Sequence, residues 1–362
     1  MRIFGSPPRY IQGRGAFARL GAEVAQLSAR PVMVIDAQVL ELLRERLNEI
    51  FRGAPPAVLP FAGEVTIATI ERLTAEARGA SADLVICVGG GKALDAAKGV
   101  ARRLEVPFVT VPTVASNDSP TGRSLAVYDD DHTLVAIEAT RTSPLLVLVD
   151  TALIVGAPVQ FLQAGMGDAI AKKFEAERAV ADGATNFFDG SATRLSLMIA
   201  DGCYRTLREY GAQAVAAARE GVADEAFEAV VEANVLLAGL AWENAGLSFA
   251  HAITRGLVKS RAANAAHGFH VAYATLVQLA LEERPAAFLD DLMEFYRAVG
   301  LPVRLADLGM AEPTPSEVAQ IASLTLQGPQ GGRIIVSAGA PQIAEAIERV
   351  ERLASPAGAG AR

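Results

Sequence analysis

Residues 84–98 read Leu-Val-Ile-Cys-Val-Gly-Gly-Gly-Lys-Ala-Leu-Asp-Ala-Ala-Lys: an apolar run of strand length, a block of glycines, then helix formers. That order sets bare backbone amides at the start of a helix. Donors left unsatisfied inside the helix, together with its dipole, favour an anion there. A tight strand-to-helix turn also uses glycine for positive φ or close packing, yet consecutive glycines from 89 to 91 exceed what one turn requires. The block therefore points to an alternating β/α fold carrying a phosphate-binding turn. Its spacing is not G-x-G-x-x-G. Nor is it G-x-x-x-x-G-K-[ST], because Ala93 follows Gly91-Lys92 and has no hydroxyl to offer magnesium.

The segments around this turn keep the same rhythm. Apolar runs at 31–36, 84–88, 107–111 and 145–150, with a weaker one at 57–61, read as buried strands. Helical spacing covers 37–50, 66–78 and 92–104 between them. Alternation of this kind predicts a mostly parallel sheet with helices on both faces. Residues 125–128 and 133–137 flank Asp129-Asp130-Asp131-His132, which reads as a hairpin turn. After Ala157-Pro158 strand-like runs almost vanish, and Ala, Leu and Glu at helical spacing fill 159–353. The expectation is an α/β domain over 1–157 followed by an all-helical domain over 158–362, with a loose tail from Ser355.

At 362 residues the chain is long enough for two cores. Its apolar fraction is 51%, yet no apolar run approaches the roughly 18 residues of a membrane span, and the N-terminus lacks the apolar core of a signal peptide. Two cysteines, Cys87 and Cys203, make no disulfide framework and suit a reducing cytoplasm. A net charge of −8 without a basic cluster argues against nucleic acid and anionic membranes as partners.

Only four histidines occur, and His251, His267 and His270 fall within one short helical section. His267 and His270, at i and i+3, can share a helix face; a metal pair and a split between one buried and one surface ring are both open at that spacing. His132 reads as a solvated surface residue. Asp168 interrupts the apolar run Ala164-Gly165-Met166-Gly167-Asp168-Ala169-Ile170, as a helix cap or as a ligand.

Several separated motifs together resemble one family. They are Gly89-Gly90-Gly91-Lys92 with Asp95; Val111-Pro112-Thr113-Val114-Ala115-Ser116-Asn117-Asp118; Leu146-Val147-Leu148-Val149-Asp150-Thr151; Gly165-Met166-Gly167-Asp168-Ala169 with Phe174-Glu175-Ala176; Ser248-Phe249-Ala250-His251-Ala252-Ile253; and Ala266-His267-Gly268. In this order they resemble the glycerol dehydrogenases of the metal-containing, group III polyol and alcohol dehydrogenase family. The resemblance implies the fold of dehydroquinate synthase and iron-containing alcohol dehydrogenase: a Rossmann-like α/β domain, then an all-α domain. It implies that Asp168, His251 and His267 ligate one divalent metal, zinc or alternatively iron, a donor set whose chemistry suits zinc and leaves a place for a substrate oxygen. His270 then becomes a neighbour of the metal site or lines the substrate cleft. Asp118 matches a residue beside the substrate hydroxyls, where an Asx-turn next to Pro120 is the alternative.

For the cofactor, the resemblance places the NAD pyrophosphate on the glycine turn, with Gly90, Gly91, Lys92 and Asp95 nearby. Thr113, Ser116 and Tyr128 match the nicotinamide half, and Ser124 is a further expected cofactor contact. Asp36 ends the first clear strand, where a carboxylate accepts from the adenosine ribose and repels the extra phosphate of NADP; it can equally cap the helix over 37–50. The activity implied is NAD-dependent oxidation of glycerol or a related 1,2-diol to the hydroxyketone by metal-assisted hydride transfer, in a homo-oligomer of two to eight subunits.

The chain departs from the family at several positions. Thr254-Arg255 stands where glycerol dehydrogenases commonly carry His-Asn, Thr121-Gly122-Arg123-Ser124 replaces Cys-Ser-Ala-Leu, and Lys172-Lys173 replaces Thr-Trp. A rival of the same fold, a dehydroquinate synthase-like enzyme or a phosphorylated-polyol dehydrogenase, needs a cluster of cations to hold phosphate. Only Arg123, Lys172, Lys173 and Arg255 could supply it. A non-catalytic nucleotide-binding module would leave Asp168, His251 and His267 unexplained.

Overall fold

The computed structural model describes residues 1–52, 55–130, 134–327 and 337–355. Asp131 and His132 of the expected hairpin turn, and the tail from Pro356, lie outside them. The strands are β1 (Tyr10–Gly13), β2 (Pro31–Asp36), β3 (Ala57–Phe61), β4 (Leu84–Gly89), β5 (Phe108–Pro112), β6 (Ser124–Tyr128), β7 (Leu134–Ala139) and β8 (Leu146–Asp150). Between and after them run α1 (Leu20–Ala25), α2 (Ala37–Ile50), α3 (Ile67–Gly79), α4 (Gly91–Leu104) and α5 (Thr151–Ile154). The remaining α-helices are α6 (Val159–Ala181), α7 (Arg194–Arg219), α8 (Glu225–Glu232), α9 (Ala238–Ala245), α10 (Phe249–Leu257), α11 (His267–Leu281), α12 (Ala286–Val299), α13 (Pro315–Thr325) and α14 (Ala340–Ala354).

Six parallel strands form one sheet in the order β1-β8-β5-β4-β2-β3, and β6 and β7 make a separate antiparallel ribbon. Burial on both faces accounts for the near-continuous apolar sequences of β4, β5 and β8, every residue of which is buried. Alternate side chains feed two cores. Val32, Val34, Val85 and Cys87 pack with Ile70, Leu73 and Leu94 of α3 and α4, while Met33, Ile35, Ile86 and Val88 pack with Phe17, Leu20, Leu43 and Leu47 on the other side.

The chain divides into two compact units, and not at a single point after residue 157. One unit comprises Ser6–Phe161 and Ala217–Gly239; the other comprises Met1–Gly5, Leu162–Ala216 and Leu240–Arg362. The return of 217–239 to the sheet-bearing unit has local causes. Asn234 Nδ2 donates to Ala115 O at 3.1 Å, and Thr121 Oγ1 donates to Val235 O at 2.6 Å, within a π-helical turn over Ala233–Leu237. At the other end of this segment, Gln12 Nε2 donates to Glu228 Oε2 at 2.8 Å, which fastens α8 to β1.

In the second unit, α6 buries residues from Leu162 to Glu175 in a dense stretch and meets α11 at two glycines. A Cβ on Gly268 would stand 1.7 Å from Ala164 O, and one on Gly167 would stand 2.3 Å from Gly268 O. The two backbones touch. This crossing sets Asp168, one residue past Gly167, beside His267 at the first position of α11.

Candidate active site

In the sheet-bearing unit, Asp36, Gly89 and Pro112 end β2, β4 and β5, with Ile35 paired to Val88 and Gly89 to Pro112. The chain runs from β2 toward one edge and from β4 toward the other. These strand ends therefore flank the switch in direction where open α/β sheets hold ligands. Gly89 has φ of +142°, and an added Cβ would press on Ala93 and Asp36, so this position demands glycine. Gly90 caps α4 without any side-chain hydrogen bond, which leaves the first-turn amides uncapped by side chains. A Cβ on Gly91 would lie 2.4 Å from Asn117 Nδ2, so the segment bearing Ser116 and Asp118 lies against the glycine turn.

Several residues expected around the nucleotide have partners of their own. Asp36 Oδ1 accepts from the backbone N–H of Gln38 and Val39, the cap of α2. Lys92 Nζ donates to Glu64 Oε2 at 2.8 Å. Asp95 accepts from Ser119 Oγ at 2.7 Å and from Ala126 N at 3.0 Å, tying α4 to the Asp118 loop and to β6. Beside it the fully buried Lys98, which sequence reading did not single out, donates to Ser119 O and to Ser124 O. Thr113 N donates to Gly89 O at 3.1 Å. Tyr128 has its hydroxyl pKa pushed up to about 12 by burial and by the charges of Asp95 and Glu64. Asn117 makes an Asx-turn in the same loop, its Oδ1 accepting from Ser119 N at 3.1 Å.

The helical unit brings Asp168, His251 and His267 together, with potential ligand atoms all within 4.8 Å of one another. The His251 and His267 rings lie 5.5 Å apart at their centroids. His251 sits on α10, and its Nδ1–H donates to Glu175 Oε2 at 2.6 Å, which turns Nε2 toward Asp168 Oδ1 at 3.3 Å. Glu175 is fully buried and also accepts from the backbone N–H of Ser248 and His251. It orients the imidazole, a role no spacing rule announced. Lys172, one turn beyond Asp168 and also buried, donates from Nζ to Asp168 Oδ1 at 2.8 Å and stands 3.3 Å from His251 Nε2.

Charge at this cluster is strongly polarised. Burial opposes ionisation of Asp168, but the Lys172 ammonium and His251 outweigh it and hold the carboxyl well below the usual range. Desolvation works against a charged His251, yet Glu175 and Asp168 raise its pKa to about 9. His267 stands exposed at the first position of α11. His270 is not one of the clustered ligand residues; it is buried and donates from Nε2 to Ala262 O at 2.7 Å.

The chain thus combines a parallel sheet carrying an uncapped glycine turn with an Asp-His-His cluster in which Asp168 is buried, His251 half-buried and His267 exposed. Residues 7–151 match the iron-containing alcohol dehydrogenase family. A glycerol dehydrogenase of Escherichia coli O6:H1 is 37% identical over 89% of this chain and 88% of its own length. A glycolaldehyde reductase of Halobacterium salinarum is 35% identical over 88% of each. Among solved structures, a probable glycerol dehydrogenase from Sinorhizobium meliloti superposes with a TM-score of 0.91 at 34% identity, covering 97% of this chain and 98% of that one. The chain belongs to the iron-containing alcohol dehydrogenase family, and the resemblance to glycerol dehydrogenases read from its motifs is borne out.

The residues present fit a divalent ion. Donors 3.3 Å apart, as Asp168 Oδ1 and His251 Nε2 are, match two ligands about 2.0–2.2 Å from one centre near the tetrahedral angle. One carboxylate and two imidazoles make a donor set of borderline softness. Among the described residues no helix is long and apolar enough to cross a membrane.

Proposed function

We propose that this enzyme catalyses the NAD-dependent oxidation of glycerol or a related 1,2-diol to the corresponding hydroxyketone. The observation that carries this reading is the Asp168–His251–His267 cluster with Glu175 orienting His251. When bound at those three residues, a divalent cation, zinc by preference, supplies Lewis-acid polarisation of the substrate hydroxyl, and NAD accepts the hydride. Glu175 fixes the His251 tautomer so that Nε2 is available as a ligand. Asp118 is assigned to the substrate hydroxyls on the family resemblance.

The sheet-bearing unit, residues 1–157 in the main, binds the dinucleotide; the helical remainder holds metal and substrate. The uncapped amides at Gly90 and Gly91 take the pyrophosphate. Lys92 and Asp95 support that turn through Glu64 and Ser119. Asp36 accepts from the adenosine ribose while its Oδ1 caps α2. Thr113, Ser116 and Tyr128 surround the nicotinamide half, and Ser124 is a further cofactor contact. Cys87 and Cys203 are buried thiols outside any disulfide, which supports a cytoplasmic location. Homo-oligomerisation is proposed on the family resemblance alone.

A phosphorylated substrate is disfavoured because two of its four candidate cations are committed elsewhere: Lys172 to Asp168, and Lys173 to Asp201 and Glu177. NAD reduction measured on glycerol, 1,2-propanediol, simple alcohols and phosphorylated polyols, with and without a chelator, tests the reading. Chelator-sensitive activity that is highest on unphosphorylated diols is expected. Its absence on every diol overturns the assignment.

A further inference from the structure

Lys172 has no role in the reading above, yet it is bound to the atoms that matter most there. Its Nζ, Asp168 Oδ1 and His251 Nε2 form a triangle with sides of 2.8, 3.3 and 3.3 Å. The lysine side chain is 1% exposed and the Asp168 side chain 2%. One helical turn of α6 separates the two residues, so the ammonium reaches the carboxylate without leaving its own helix. The same oxygen and the same imidazole nitrogen are the donors a divalent ion requires. Two cations cannot both take those lone pairs at full strength, and their mutual repulsion in a buried site is large.

We propose that Lys172 is an internal counter-cation of Asp168 that competes with the metal and makes this enzyme's hold on its ion weak and exchangeable. Ion entry requires Nζ to leave Asp168 Oδ1, which the flexible four-carbon stem permits. Occupancy of the centre, and with it activity, then follows the free divalent-cation concentration. The same contact stabilises the buried carboxylate whenever no ion holds it, since a lone buried charge is strongly destabilising. The inference rests on the Asp168–His251–His267 reading and deepens it by assigning the regulation of that site.

The test uses the full-length wild type and the variants Lys172→Thr and Lys172→Met, each stripped by chelation and titrated with zinc against a chromophoric competitor. Thermal melts of the stripped proteins run alongside, and Asp168→Asn serves as the ligand-loss control. Both lysine variants are expected to bind one zinc per chain about tenfold or more tightly than wild type, and to melt below wild type when stripped. Met preserves the bulk and Thr preserves polarity, so one of the pair reports even if the other fails to fold. Equal zinc affinity in wild type and in a folded variant overturns the role of Lys172 while leaving the metal centre intact. If neither wild type nor variants bind one zinc per chain, or Asp168→Asn binds as well as wild type, the metal reading itself fails and the inference falls with it.

Discussion

Gly268→Ala is the substitution with the largest effect expected from so small a change. The new Cβ would stand 1.7 Å from Ala164 O and 2.5 Å from Ala164 C, both backbone atoms that no rotamer change can move. Helices α6 and α11 must therefore part by more than about 1 Å, an overpacking at the severe end of the usual range, about 3 kcal/mol. For a unit of this size that corresponds to a fall in melting temperature of roughly 6–12 °C. The displacement falls on the ligands, because His267 precedes Gly268 and Asp168 follows Gly167. Misplacement of reacting groups by this much costs on the order of a hundredfold in rate. Differential scanning fluorimetry and the initial rate of NAD reduction should show both losses together in Gly268→Ala, and zinc titration a weakened site. Gly202→Ala on α7 is the control: nothing lies within 4 Å of its Cβ position, so it should be neutral or stabilising by up to about 1 kcal/mol. A Gly268→Ala protein within about 2 °C of wild type by the same scan, with unchanged zinc affinity, would refute the claim that this backbone crossing positions the cluster.

Other outcomes follow from single residues. Glu175→Gln should weaken zinc binding by about 10–100-fold without moving the KM for NAD, checked by competitor titration and initial rates. Asp36→Ser should lower the preference for NAD over NADP, measured as the ratio of kcat/KM values, while the melting temperature stays close to wild type because serine also caps helices. Glu317 is held at a pKa of about 2 by Arg261 and by the Thr314 cap, below its ordinary 4.5. A depressed carboxyl adds stability that is present above about pH 4.5 and lost as pH falls through 2. The gap between wild type and Glu317→Gln in thermal melts should therefore be open at about pH 7 and closed near pH 2; a gap independent of pH would contradict it.

The parallel sheet was legible because strands buried on both faces leave uninterrupted apolar runs, and the glycine block marked where β4 turns into α4. The strand β1 left no such mark: Tyr-Ile-Gln-Gly is short, lies at the sheet edge and pairs only with β8. Nor could helical texture tell which unit a helix joins. Residues 217–239 read like their neighbours, and it is Asn234 and Thr121 that bind this stretch to the Asp118 loop. At the helical cluster, Asp168, His251 and His267 were named through the family's motifs, since no short spacing links residues so far apart in the chain. Glu175 and Lys172 were both named, but their roles depend on where α6 faces α10, which periodicity does not specify. Lys172 did leave a trace, as a charge where the family resemblance has threonine.

The central claim is that Asp168, His251 and His267 hold an ion on which diol oxidation depends. Its most direct test is one preparation of His251→Ala, melted to verify folding, then assayed for bound zinc and for NAD reduction with glycerol. The account expects a folded protein that has lost both. A folded His251→Ala that retains stoichiometric zinc and the wild-type rate would contradict it.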